Sequence, residues 1–472
     1  MPDSTQQGDG VEGLLFEGVF DRPLTFAFDG ERQSDFGGVP LLAVLDRRLG
    51  LTESLAGAVR DLRQQGKVVH EVVDLVRQRV YGLAAGLEDV RDAARLREDP
   101  GVRLACGRAV EGEADALASA AVLCRFENRT RRTDLLRMGA ALMDRVIDAQ
   151  RRRRKGRAPR ITIDLDPAED PTYGQQELSF FNGHYDSWCY LPAFAFVTFH
   201  DEHGREEPEQ HLVAAMLRPG NVAATLGAEG LLRRLVGNLR RAFPQAVLRA
   251  RLDGGYAGSE FLDVLEDLGL EYVVNLPGNA RLKERVEELM AGLVRPMSAT
   301  EGRTWHAYGE IRHAAKTWRH ERRVVVKAEV VHDPARPERE GRDNARFVVT
   351  NLEQDPQRLY EEVYCRRGEI ENRIKELKHG LAIDRTSCTS FKANQLRVLF
   401  TAAAYVLMQE LRRHVAALGE GRLQVTTLRE RFLLLSARVV ASTRRLLVRL
   451  SRACPWRDLW TRVALRAGAA RA

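Results

Sequence analysis

In the stretch Tyr364-Cys365-Arg366-Arg367-Gly368-Glu369-Ile370-Glu371-Asn372-Arg373-Ile374-Lys375-Glu376-Leu377-Lys378, charges and a phenol fall into line only if the chain is helical. At about 100° per residue, Tyr364, Arg367, Glu371 and Lys378 share one stripe roughly 60° wide, while Glu369 and Glu376 point to the far side. Val363, Ile370, Ile374 and Leu377 form an apolar stripe beside it, so the helix can bury that edge and hold Glu371 at the margin of the core. One carboxylate is thus set beside two cations and a phenol, which suits an anion together with a metal. Ordinary charge pairs on a solvated face would account for a random charged helix; this spacing argues against them.

Two more carboxylates stand at strand ends. In Arg160-Ile161-Thr162-Ile163-Asp164-Leu165-Asp166, apolar Ile161, Ile163 and Leu165 alternate with Thr162, Asp164 and Asp166, predicting a half-buried strand with two acids on one face, stopped by Pro167. Further on, Leu248, Ala250 and Leu252 face one way and Arg249, Arg251 and Asp253 the other, with a turn at Gly254-Gly255. Either strand-end acid taken alone is most simply a helix cap. Three acids in the order Asp166, Asp253, Glu371, the last on a helix, are poorly explained that way. Asp164 and Asp166 share a face, and Asp166 lies nearer the strand end.

The pattern Tyr-x2-Arg-x3-Glu-x6-Lys, met by Tyr364, Arg367, Glu371 and Lys378, resembles the signature helix of bacterial insertion-sequence transposases with a DDE active site. The blocks Gly174-Gln175-Gln176-Glu177, Asn182-Gly183-His184-Tyr185-Asp186-Ser187-Trp188-Cys189-Tyr190-Leu191-Pro192, Asn279-Ala280-Arg281-Leu282, Arg385-Thr386-Ser387 and Ala393-Asn394-Gln395-Leu396-Arg397, with Arg125-Phe126-Glu127-Asn128, are similar to the insertion-sequence family numbered 1380. The resemblance implies an α/β fold: an RNase H-like catalytic core with a β-rich insertion, plus helical N-terminal and C-terminal regions. The interval from Asp253 to Glu371 is long for a minimal core of that kind, as an insertion requires.

The same resemblance implies that Asp166, Asp253 and Glu371 are catalytic and hold Mg²⁺ or Mn²⁺, with Asp164 as the alternative to Asp166. In-line displacement at a phosphodiester is served by two divalent cations about 3.5–4 Å apart, and hard cations take carboxylate oxygen. Arg367 and Lys378 would neutralise phosphates, Tyr364 would bond the same backbone, and Arg251 joins them as a DNA-contacting cation. A stacking aromatic is expected from the insertion, Trp305 or Trp318, although a Trp is more often plain core packing. The implied partners are double-stranded DNA, at terminal inverted repeats and at a target, and a second copy of the chain in a paired-end homodimer. The implied reaction is cleavage at the repeats and strand transfer, a hairpin intermediate being a further implication of resemblance. Two alternatives stay open: a catalytically inactive DNA-binding relic, and an RNase H-like nuclease that cannot join strands.

Composition agrees without deciding. With 472 residues, 44% of them hydrophobic, the chain is long enough for two or three domains. Its 73 basic against 66 acidic residues leave a net charge of only +7, weak evidence for nucleic acid by itself. The run Arg151-Arg152-Arg153-Arg154-Lys155 suits a basic linker along DNA, and equally a solvated helix end. Cys106, Cys124, Cys189, Cys365, Cys388 and Cys454 contain no CxxC pair, so they read as reduced cytosolic thiols rather than a zinc site or disulfide framework. The absence of a long apolar run and of a leader pattern disfavours secretion and membranes, and the expected location is the bacterial cytoplasm, at the nucleoid.

Along the chain, residues 1–40 are expected to be a flexible segment or short strands. Residues 41–155 read as a helical DNA-end-binding region with helices over 52–64, 68–83 and 133–149. Residues 156–281 read as the first part of the core, with strands near 194–199, 211–217 and 272–276 and a helix over 228–243. The insertion, 282–345, starts helical and becomes β-rich at 304–313 and 322–331. Residues 346–392 return to the core through a strand at 346–352 and the signature helix at 357–379, and 393–472 read as helical, over 394–415 and 426–449.

Overall fold

The computed structural model describes residues 14–16, 24–26, 33–110, 112, 115–292, 305–331 and 342–470. Eight strands form one mixed sheet: β1 (Arg160–Pro167), β2 (Ala193–His200), β3 (Glu206–Met216), β4 (Val247–Leu252), β5 (Glu271–Leu276), β6 (Trp305–His313), β7 (Arg322–Val331) and β8 (Arg342–Thr350). Their spatial order is β6-β7-β8-β5-β4-β1-β2-β3. β1 pairs antiparallel with β2, and β2 with β3, whereas β1, β4 and β5 run parallel. β8 then adds antiparallel to β5, and β7 and β6 follow it, so the β-rich segment continues the same sheet.

β1 is central, and this changes its expected character. Thr162, Asp164 and Asp166 are buried along with Ile161, Ile163 and Leu165, so the polar face is covered instead of solvated. A strand paired through both edges in the middle of an α/β sheet is covered on both faces, and its polar side chains must then find partners inside.

Five helices matter for the site: α1 (Val72–Ala84), α2 (Arg132–Arg154), α3 (Ala228–Ala242), α4 (Gly368–Leu381) and α5 (Phe391–Ala416). α5 is buried along most of its length and packs against α1, α2 and β3. Its buried arginines are paired: Arg397 with Glu127 at 3.2 Å, and Arg412 with Glu209 at 2.9 Å and with Glu376. Glu376, on the far side of the signature helix, also accepts from Tyr405 at 2.9 Å, Arg422 at 3.0 Å and the Val425 amide at 2.9 Å. That far side is therefore docked, so α4 is gripped from two directions. No helix among the described residues is long and apolar enough to cross a membrane.

Three expected helices differ. The helix expected over 52–64 ends at Gly57, because Asp61 and Arg63 close on each other, Nε to Oδ1 at 2.8 Å, and leave only a single 3₁₀ turn at Gln65–Lys67. The next starts at Val72 rather than 68, where Glu71 and Asp74 make a reciprocal cap. After Leu433 the expected helix gives way to a hairpin, Ala437–Ala441 with Leu446–Leu450, closed by Ser442 and Arg445. Its Val439, Val440 and Val448 favour a pleated surface.

Just beyond β1, Asp170 is fully buried and accepts from Thr386 Oγ1 at 2.9 Å. Burial pushes its carboxyl up to about 8 from 3.8. The folded chain thus keeps a proton that the unfolded chain has lost, and stability contributed here falls as pH rises from about 4 to about 8, by at most about 1.4 kcal/mol per pH unit. Asp170→Asn is expected to flatten that slope, measured by urea unfolding at several pH values across the window.

Candidate active site

Strand register brings the first two acids together. Asp164 lies opposite Arg251 and Leu165 opposite Leu252 in the parallel β1–β4 pair, so Asp166 and Asp253 leave neighbouring strand ends side by side. Asp253 also caps the turn Gly254–Tyr256, its Oδ1 accepting from the Gly255 amide at 3.0 Å. The cap does not remove Asp253 from the end of β4 beside Asp166. A Cβ on Gly255 would stand 2.7 Å from the Ala224 Cβ and 3.1 Å from Asp253 Oδ1, so glycine is what lets the turn close over the acid.

The third acid arrives on an irregular element. The chain runs through a π turn at Leu359–Tyr364 and a 3₁₀ turn at Cys365–Arg367 before α4 begins at Gly368. Regular α-helical pitch therefore starts only at Gly368, and Tyr364 lies on a different kind of turn from Glu371. Arg367 reaches both ways, Nη1 donating to Asp166 Oδ1 at 3.0 Å and Nη2 to Glu371 Oε1 at 2.9 Å. Burial pushes the Asp166 carboxyl up to about 7; the Arg367 guanidinium pulls the other way, and the Asp253 and Glu371 carboxylates add to the rise. Burial likewise raises Asp253, again opposed by Arg367. Three carboxylates and one guanidinium thus form a single electrostatic unit at the end of the sheet.

Sequence comparison gives the family of the whole chain. The family described as Transposase DDE domain group 1 matches residues 16–470. The chain belongs to that transposase family. No curated protein matches it. Among solved structures it is similar to a piggyBac transposase in a cryo-EM synaptic complex with hairpin DNA, at 10% identity, over 92% of this chain and 82% of that one, with a TM-score of 0.43.

Within this DDE transposase the other expected residues divide. Tyr364 is half-buried, its ring 5.3 Å from that of Tyr360, and burial raises its phenol. Lys378 Nζ donates to the Glu169 carbonyl and lies 4.0 Å from the Asp384 carboxylate, so it holds the loop after β1 instead of facing Glu371. Arg251, expected among the DNA-contacting cations, is fully buried. It donates to Asp164 at 2.7 and 2.9 Å, to Glu206 at 2.9 Å and to the Val363 carbonyl at 3.0 Å, leaving nothing for DNA. Asp164 is committed to that pair, which leaves Asp166 as the acid beside Asp253 and Glu371. The Trp318 ring packs on His313 at 5.4 Å and under the Arg322 guanidinium at 5.1 Å, a packing role. Trp305 opens β6 opposite Val330, and its ring lies outside the described residues.

Sequence reasoning missed Arg218, which is buried, donates to the Leu191 carbonyl at 2.8 Å and bears electrostatically on Asp253. Its only signal was a cation directly after a strand, before Pro219-Gly220. Among the described residues no three Asp, Glu, His or Cys side chains converge closely enough to hold a metal ion, and Arg367 spans the space between Asp166 and Glu371. The donor set is nevertheless all carboxylate oxygen, the chemistry of a hard divalent cation.

Arg251→Met would leave Asp164 buried without a counter-charge, and is expected to lower the unfolding free energy by about 3–5 kcal/mol. Urea denaturation at neutral pH measures it. A loss below about 1 kcal/mol would mean that the pair behaves as an exposed one.

Proposed function

We propose that this transposase cleaves and joins DNA by metal-dependent phosphodiester chemistry at Asp166, Asp253 and Glu371. It would act on the inverted-repeat ends of an insertion sequence of the family numbered 1380, pair them in a homodimer, and transfer the cut strand to target DNA in the bacterial cytoplasm, at the nucleoid. The observation that carries the reading is the Arg367 bridge from Asp166 to Glu371, with Asp253 alongside on the neighbouring strand. Sheet order supports an RNase H-like core, since an antiparallel β3-β2-β1 run meets parallel β4 and β5 at β1, with acids at the adjoining strand ends.

The residues fit the implied metal. Asp166, Asp253 and Glu371 would hold Mg²⁺ or Mn²⁺, which when bound activates the attacking oxygen and stabilises the leaving oxygen. Asp166 must give up its proton to serve as a ligand. Arg367 must release at least one carboxylate, and its planar fork is then free to take two oxygens of a phosphate. Tyr364, within reach of Arg367, would bond the same phosphate. Arg251 contributes from inside, tying β1, β4 and the Val363 carbonyl together so that the acids keep their spacing.

The test uses purified protein, Mg²⁺ or Mn²⁺, and a labelled duplex carrying the inverted repeat that flanks its own gene. Cleavage at the repeat boundary is expected with metal only, falling to the metal-free background in Glu371→Gln. Joining of the cut 3′ end to a plasmid separates a transposase from a nuclease. Specific binding with no cutting in either metal would overturn the catalytic reading.

A further inference from the structure

After β3 the chain heads for α3 through Leu217-Arg218-Pro219-Gly220, and this corner is closed tightly. The Leu191 amide donates to the Arg218 carbonyl at 3.1 Å, and Pro219 bridges to Tyr190. A Cβ at Gly220 would collide with the carbonyls of Cys189 and Phe180, so two backbones are pressed together there. Inside the corner the Arg218 side chain is 2% exposed. Its Nε donates to the Leu191 carbonyl at 2.8 Å, and its Nη1 to the carbonyls of Ala224 at 2.5 Å and Leu226 at 3.3 Å. Three carbonyls from two segments thus fix the guanidinium in place. Its remaining nitrogen, Nη2, is buried with no acceptor.

A second buried donor stands nearby without a partner. Tyr256 ends the short turn that Asp253 caps, its amide donating to the Asp253 carbonyl at 3.3 Å. The side chain is fully buried, with its ring 5.1 Å from that of Phe261, and its hydroxyl has no hydrogen-bond partner. Buried donors left unpaired are costly and uncommon, so two of them at one place call for a reason.

Asp253 supplies it. A Cβ on Gly255 would lie 2.7 Å from the Ala224 Cβ and 3.1 Å from Asp253 Oδ1, so the residue whose carbonyl holds Arg218 abuts the turn at the acid. Arg218, Tyr256 and Asp253 lie within electrostatic reach of one another. Asp253 Oδ1 takes the Gly255 amide, while Oδ2 accepts no hydrogen bond among the described residues. The two cations of the site also differ in freedom. Arg367 is 21% exposed and its guanidinium bonds only Asp166 and Glu371, so it can swing away, whereas Arg218 is held by backbone on every side but one.

We infer that Arg218 and Tyr256 are positioning residues for Asp253, the spare Nη2–H and the phenolic O–H setting the direction of its free oxygen toward a divalent ion after Arg367 has moved to a phosphate. The inference rests on the proposed metal chemistry at Asp166, Asp253 and Glu371, and gives the middle acid a support that does not leave with the substrate. Groups that hydrogen-bond a metal-ligating carboxylate from behind fix its orientation, and losing one weakens metal binding by about 10–100-fold. A purely structural role predicts something else for Tyr256→Phe. The change removes only a hydroxyl that has no partner, so the fold should be unharmed or firmer.

The test measures Mn²⁺ binding to the full-length chain, alone and with the inverted-repeat duplex, from the electron paramagnetic resonance signal of free Mn²⁺. Asp253→Asn is the reference, and urea unfolding in EDTA follows the stability of each variant. Tyr256→Phe is expected to bind Mn²⁺ about tenfold more weakly, with its urea midpoint unchanged or raised. Arg218→Lys keeps the charge but cannot serve three carbonyls and a fourth acceptor, and is expected to weaken binding as well. Unchanged Mn²⁺ affinity in both variants, with the loss in Asp253→Asn intact, would overturn the positioning role and leave the metal reading standing. A Tyr256→Phe midpoint that falls together with the affinity would show a hydroxyl used by the fold, and would also overturn it. Wild-type binding that Asp253→Asn does not reduce would sink the metal reading, and this inference with it.

Discussion

The guanidinium of Arg251 is the point at which two strands and the signature segment are fixed to one another. A cation and a carboxylate withdrawn from water each cost several kcal/mol, and their attraction offsets this only with good geometry and every remaining donor satisfied. Asp164 supplies two oxygens, and Glu206 and the Val363 carbonyl take the rest. Because Asp164 and Arg251 face each other in the parallel pair, this bond sets the register of β1 against β4. Asp166 and Asp253, each two residues further on the same faces, then emerge together. A one-residue slip would turn one of them to the opposite face of the sheet.

The same cation explains why the signature segment starts irregularly. A π turn followed by a 3₁₀ turn breaks the regular ladder of backbone bonds, and the Val363 carbonyl is taken by Arg251. The segment is thereby held at a set height over β1 and β4, and α4 leaves it with Arg367 already aimed at Asp166. On its far side Glu376, enclosed by Tyr405, Arg412, Arg422 and the Val425 amide, prevents rotation of α4 about its axis. Glu371, half-exposed, thus takes its direction from the docking of α4 on its far side together with the Arg367 bond.

Much of this was legible in the sequence. Alternation in 160–166 and 247–253 located the central strands and put Asp166 and Asp253 at their ends, and the 3.6 period of Ile370, Ile374 and Leu377 located the buried face of α4. Three things were not legible. Periodic reasoning assumes one pitch, so the stripe through Tyr364 could not register the change from π to 3₁₀ to α. A buried paired cation is spelled like a solvated one, so Arg251 read as a DNA contact and Glu376 as a far-side charge. Leucine density in 426–449 reads as helix, whereas Val439, Val440 and Val448 are satisfied by a hairpin that a local window cannot pair.

The arrangement around Arg367 has a consequence for how ligands would arrive. Without a cation, Asp166 and Glu371 lean on the one guanidinium, and burial keeps a proton on Asp166 up to about pH 7. On the proposed reading, Asp166 and Glu371 would release Arg367 if they held a divalent ion, and its fork would then be free for a phosphate. A phosphate that draws Arg367 away leaves the carboxylates with uncompensated charge and raises their affinity for the ion. Coupling of this kind is reciprocal by thermodynamic necessity: whatever factor the ion adds to phosphate binding, the phosphate adds to ion binding. On the proposed reading, the bridge that covers the acids in the free protein would make DNA and metal each favour the binding of the other.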